Sequence, residues 1–149
     1  MAVNRGSDPS NPLNNADEDG RFKRQVSSFR NPIEKGGKHP PEKGRYLLYI
    51  VSGCPWAQYV TEPRPRLISS RTWLYWKLKG LEGVVTLINA GRTLLTPTGW
   101  DIPDGVDHVN GFKNTQEIYL KANPEYTKRY TVPILWDNKL QTIGKTVSH

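Results

Sequence analysis

The sequence is poor in cysteine: one thiol, Cys54, in 149 residues excludes an internal disulfide. It also lacks a long apolar run. No stretch approaches the roughly 20 residues that cross a bilayer. The opening Met-Ala-Val-Asn-Arg has no apolar core of a secretory signal, and Asp8, Asp17, Glu18 and Asp19 make the region too acidic for a transit peptide. The cytoplasm is therefore the default compartment. Large apolar residues are scarce before Arg45, with Leu13, Phe22, Val26, Phe29 and Ile33 among the few. Residues 1–44 are expected to form an extended or disordered arm, because they can bury little.

About a hundred residues remain, enough for one small core. The net charge is +7, but Lys and Arg are spread along the chain. Such spreading gives a solvated basic surface, whereas a nucleic-acid groove needs basic residues on one face with stacking aromatics. Four of the five Trp lie inside apolar runs and read as core. Neither a nucleic-acid nor a membrane partner is expected.

Tyr46–Val51 is a short, β-rich apolar run that suits a strand buried on both faces. Ser52-Gly53-Cys54-Pro55 breaks it, and Pro55 suits the first position of a helix. Pro63 and Pro65 interrupt that helix within Gln58–Ser70. A helix is expected to resume over Thr72–Lys79, with Trp73, Leu74 and Leu78 as its apolar stripe and Gly80 closing it. Val84–Asn89 reads as a second strand, followed by a Gly- and Pro-rich loop from Ala90 to about Gly111. Thr115–Asn123 reads as a helix that stops at Pro124. Thr131–Trp136 and Leu140–Ile143 form a hairpin about the turn Asp137-Asn138-Lys139. This order fits an α/β, thioredoxin-like domain without its final helix.

Two features carry chemistry. A lone Cys is often an inert buried residue, but Cys54 follows a strand and precedes Pro55. At a helix N-terminus, unpaired N–H groups and the dipole favour the nucleophilic thiolate. Ala57 stands where a Cys-x-x-Cys pair would have its second thiol, so the open route is a mixed disulfide with an external thiol. The second feature is Thr131-Val132-Pro133. A Pro opening a strand supplies no ladder N–H and is compatible with a plain edge strand. In thioredoxin-like folds the equivalent Pro is cis and lies beside the active thiol. The preceding backbone, here Val132, then pairs with the cysteinyl part of a peptide-like ligand.

Several segments, taken together, resemble the glutathionyl-hydroquinone reductases, the Xi-class, omega-like glutathione S-transferases. They are Gly20-Arg21-Phe22-Lys23-Arg24-Gln25-Val26-Ser27-Ser28-Phe29-Arg30, Gly44-Arg45-Tyr46, Cys54-Pro55-Trp56-Ala57, Lys77-Leu78-Lys79-Gly80-Leu81-Glu82, Gly99-Trp100, Ala122-Asn123-Pro124, and Arg129-Tyr130-Thr131-Val132-Pro133-Ile134-Leu135-Trp136-Asp137. They run in the family's order from about residue 20 to 143. The resemblance implies a glutathione-dependent oxidoreductase that reduces glutathionyl-hydroquinones. Cys54 would be the nucleophile. Trp100, Arg129, Val132 and Pro133 would bind glutathione, and Trp56 would line the aromatic substrate pocket. Glutathione enters as co-substrate, and no metal is implied. Quinone-derived small molecules would be the partners, and the family forms homodimers.

The chain departs from that pattern twice. Thirteen residues, Gln58–Ser70, stand where the family has a single His, and break the helix one turn after Cys54. One turn nucleates poorly and carries little dipole, so weakened thiolate stabilisation is expected. After the hairpin, Gly144–His149 replaces the family's Glu-Ser pair, which holds the γ-glutamyl end of glutathione. The domain is thus expected over residues 45–143, with residues 144–149 a foreign tail. The last helix and the all-helical C-terminal domain, which supplies the dimer contacts, do not appear. Impaired activity follows, and the alternative reading is a non-catalytic fragment that interacts with full-length subunits.

Overall fold

The computed structural model describes residues 27–51, 71–90 and 95–146. Eight elements follow in chain order: β1 (Tyr46–Ile50), α1 (Arg71–Leu78), β2 (Val85–Asn89), β3 (Leu95–Thr96), β4 (Gly99–Trp100), α2 (Thr115–Ala122), β5 (Ile134–Asp137) and β6 (Thr142–Thr146). Four strands form one sheet in the order β2-β1-β5-β6, and β3 and β4 pair separately as a hairpin. β1 runs parallel to β2 and antiparallel to β5, and β5 runs antiparallel to β6. This is the mixed sheet of a thioredoxin-like domain.

β1 is central because all five of its residues are apolar or aromatic, and all five are buried. Its register sorts the two faces of the sheet. Leu47 lies opposite Trp136 and Thr86, and Tyr49 lies opposite Ile134 and Ile88. With Ile143, these positions form the face that packs on Ile118 and Tyr119 of α2, and Trp136, Ile134, Ile143 and Ile118 have no exposed surface. Phe112 meets Trp136 edge-on at 5.4 Å. A buried side chain of this size stabilises by about 1.5–3 kcal/mol through apolar area alone.

The opposite face is more open. Leu48, Val85, Pro133 and Leu135 line an apolar hollow of about 240 Å³ with Tyr75 and Trp76 of α1. Here the expected helix stripe is corrected: Leu74 is 49% and Leu78 73% exposed. Trp76 meets the sheet instead, because its indole N–H donates to the Val85 carbonyl at 2.9 Å. Gly80 does end α1, at φ +61°. Its N–H reaches the Lys77 carbonyl and that of Leu81 reaches the Trp76 carbonyl, the paired bonds of a left-handed helix stop.

Other differences are local. The Ala90–Gly111 loop contains the β3–β4 hairpin. The second hairpin strand starts at Thr142 rather than Leu140 and runs through Thr146, so the boundary expected after residue 143 falls inside β6. The described part of the arm is anchored: Arg30 bridges to Lys145, Asn31 N–H donates to the Gly144 carbonyl, and Phe29 packs against the core. Among the described residues no helix is long and apolar enough to cross a membrane.

Candidate functional site

The parallel strands β1 and β2 end on the same edge of the sheet, and α/β sheets bind ligands beyond the carboxyl ends of such strands. β5 begins at that edge. Tyr49 is opposite Ile134, so the antiparallel register carries Val51 level with Val132. Cys54 and Trp56, and the insertion Gln58–Ser70, lie outside the described residues. Chain connectivity places Cys54 three residues beyond Val51.

The Val132–Pro133 peptide bond is cis. The segment leading into it is held from behind by hydroxyls. Tyr119 Oη–H donates to the Thr131 carbonyl at 2.9 Å, and Tyr126 Oη–H donates to the Arg129 carbonyl at 2.9 Å. Tyr126 is also ringed by Phe29, Tyr119 and Tyr130, and burial pushes its phenol well above the ordinary range. By contrast, neither the N–H nor the C=O of Val132 is in a hydrogen bond among the described residues. Most backbone groups of a folded chain are paired, so this donor and acceptor stand out among the described residues.

Trp100 lies in the hairpin, buried to 8% exposure within the main core cluster, against which Val132 also packs. Its N–H donates to Thr115 Oγ1 at 2.9 Å. Arg129 is half-buried, and its guanidinium makes no ion pair among the described residues. Among the described residues, Trp100 belongs to the core cluster and Val132 packs against it, whereas Pro133 lines the hollow on the opposite face of the sheet, and Arg129 is close in sequence only. The described residues hold no group of His, Cys, Asp and Glu that could bind a metal ion.

Two polar arrangements escaped the sequence reading. At the far end of β5, Asp137 is fully buried. Arg45 Nε donates to its two oxygens at 2.9 and 3.0 Å, and Nη2 donates to Oδ2 at 2.6 Å. His39 Nδ1 stands 2.8 Å from Oδ2, and since a carboxylate only accepts, the ring proton sits on Nδ1. The Lys139 and Leu140 N–H groups complete the shell. Burial pushes the Asp137 carboxyl up, but the hydrogen bonds from Arg45, His39 and Leu140 outweigh it and hold the group at about 2. The same bond raises Arg45 above its ordinary value. Glu42 pairs with both Lys139 and Arg45, which lowers its carboxyl. The only hint in the sequence was an Arg just before one strand and an Asp at the end of another.

Asp107 is the second case. It is buried in the loop before α2 and accepts from Tyr49 Oη at 2.9 Å and from the N–H groups of Val109, Asn110 and Phe112. Burial raises the Tyr49 phenol well above its ordinary value. Both Asp107 oxygens accept from these donors, so it ties the loop together and joins it to Tyr49 of β1.

No family model matches the sequence. Among curated proteins, it is 40% identical over 131 residues to a glutathione S-transferase omega-like 2 of Schizosaccharomyces pombe, covering 85% of this chain and 38% of that protein. It is 35% identical over 137 residues to a glutathionyl-hydroquinone reductase of Escherichia coli, covering 83% of this chain and 38% of that protein. Among solved structures it is similar to the Xi glutathione transferase of Saccharomyces cerevisiae in complex with glutathione, at 30% identity and a TM-score of 0.70, covering 85% of this chain and 43% of that one. The chain therefore spans 38% of the length of the two curated relatives. By fold and by sequence together, it belongs through a thioredoxin-like N-terminal domain to the family of Xi-class, omega-like glutathione transferases and glutathionyl-hydroquinone reductases.

Proposed function

We propose that this chain binds glutathione and, through Cys54, takes part in glutathione-dependent reduction of glutathionyl-hydroquinones. The observation that carries this reading is the Val132 backbone beside Pro133, unpaired among the described residues and level with the end of the strand that leads to Cys54. The Val132 N–H and C=O would pair with the cysteinyl backbone of glutathione and set its sulfur near Cys54. Trp100 would pack along the ligand, Arg129 would meet one of its carboxylates, and Trp56 would face the aromatic ring.

The chemistry balances in two steps. The Cys54 thiolate attacks the sulfur of the glutathionyl-hydroquinone. A sulfur–sulfur bond forms, the carbon–sulfur bond breaks, and the ring carbon takes up a proton, so the quinone carbon gains the electron pair. A second glutathione thiolate then attacks the mixed disulfide, releasing glutathione disulfide and the Cys54 thiolate. Intact mass measurement after incubation with a glutathionyl-hydroquinone tests this. The reading requires one glutathionyl group on the wild-type chain and none on Cys54→Ser; an unmodified wild-type chain contradicts it.

A second reading is a non-catalytic module that pairs with full-length family members. The apolar hollow beside α1 and the exposed Leu74, Tyr75 and Leu78 favour it. It requires co-elution with a full-length relative and no glutathione binding.

A further inference from the structure

Three hydrogen bonds join the hairpin carrying Trp100 to the start of α2. Gln116 N–H donates to the Thr98 carbonyl at 3.1 Å, Trp100 N–H donates to Thr115 Oγ1 at 2.9 Å, and Ile102 N–H donates to the Lys113 carbonyl at 2.7 Å. Only the bond at Trp100 uses a side chain. Thr115 is 1% exposed, and its hydroxyl is not needed to cap its own helix. Asn114 Oδ1 already accepts from Glu117 N–H, and Thr98 already accepts from Gln116 N–H. The hydroxyl therefore serves the hairpin.

The seat for that hydroxyl exists because residue 99 is glycine. A Cβ on Gly99 would collide with Thr115 Oγ1 and would stand 2.9 Å from Tyr130 Cβ. The residue also sits at φ +89°, where a side chain is strained. Tyr130 in turn is two residues from Val132. One contact cluster of Gly99, Thr115 and Tyr130 thus fixes the hairpin against both α2 and the segment that ends in Val132-Pro133. Trp has two side-chain torsions, and the Trp100 ring is packed to 8% exposure, so its direction follows its backbone.

We propose that Thr115 is a positioning residue for glutathione, holding Trp100 in register with Val132 through Oγ1. This rests on the glutathione-binding reading and adds to it a residue that does not itself touch the ligand. Thr115→Val keeps shape and removes the acceptor, and Thr115→Ser keeps the acceptor and removes the methyl. Calorimetric titration of the whole chain with glutathione, well below the unfolding temperature, compares them. The Val variant should raise Kd roughly threefold to tenfold, the range of one lost hydrogen bond, and the Ser variant should restore it. Equal Kd values, with only the melting temperature of the Val variant lowered, would overturn the inference and leave the binding reading intact. A wild-type chain that binds no glutathione overturns that reading and this inference with it. Should the Val variant not fold, the wild-type chain supplies the test: glutathione must shift the Trp100 backbone and Thr115 methyl NMR signals, and signals that stay in place contradict the proposal.

Discussion

The Arg45 guanidinium clasps the Asp137 carboxylate with Nε and Nη2, joining the residue just before β1 to the one that closes β5 across 92 positions of chain. The clasp also receives His39, so the segment before β1 is pinned to the sheet by the same acid. Removing the Asp137 charge leaves the nearly buried Arg45 only its longer pair with Glu42 and takes the carboxylate from His39. Asp137→Asn is expected to lower unfolding stability by about 3 kcal/mol or more, read from the denaturant midpoint.

The same acid sets an acid limit. Its carboxyl is held at about 2, below its ordinary 3.8. A depressed carboxyl contributes stability that is fully present above the unfolded value and lost as pH falls through the folded one. Stability of the wild-type chain should therefore fall between about pH 4 and pH 2, and the Asn variant should show a shallower fall over that window. Urea midpoints measured across those pH values check it.

Arg129 separates binding from folding. Its guanidinium makes no ion pair among the described residues, so Arg129→Ala should change stability by about 0.5 kcal/mol at most. If it meets a glutathione carboxylate, the same change should raise the glutathione Kd roughly tenfold or more. Titration and thermal unfolding of one variant read both effects.

Trp136 tests the core. It is fully buried, and its indole N–H has no hydrogen-bond partner among the described residues. Trp136→Ala should cost about 3–5 kcal/mol. Trp136→Phe loses no hydrogen bond and should cost clearly less, as chemical denaturation of the two variants would show.

Local patterns made much of this fold legible. Tyr46–Val51 announced a strand buried on both faces by being apolar throughout, Gly80 announced a helix stop, and Pro124 marked the end of α2. What escaped was non-local. Leu74 and Leu78 share helical spacing, but spacing does not say which face meets the sheet, and the bond from Trp76 to Val85 decided that. The β3–β4 hairpin has strands of two residues each, too short for any periodicity. Gly144 reads as a strand end, yet β6 passes through it, and a Cβ there would meet only ordinary contacts with the Leu135 carbonyl and His39. Nothing local in the sequence joins Arg45 to Asp137. For the site, only the cis bond expected at Pro133 is seen, with Val132 at the strand ends. Thr115 left no signal, since its role depends on a glycine sixteen positions away.

The most direct test of the central claim is Cys54 reactivity toward a thiol probe against pH, with and without glutathione. A working site gives an apparent thiol pKa below the ordinary value of about 8.5, and glutathione protects the thiol. An ordinary pKa with no protection would contradict the proposed function and leave the chain as a thioredoxin-like domain without the family's chemistry.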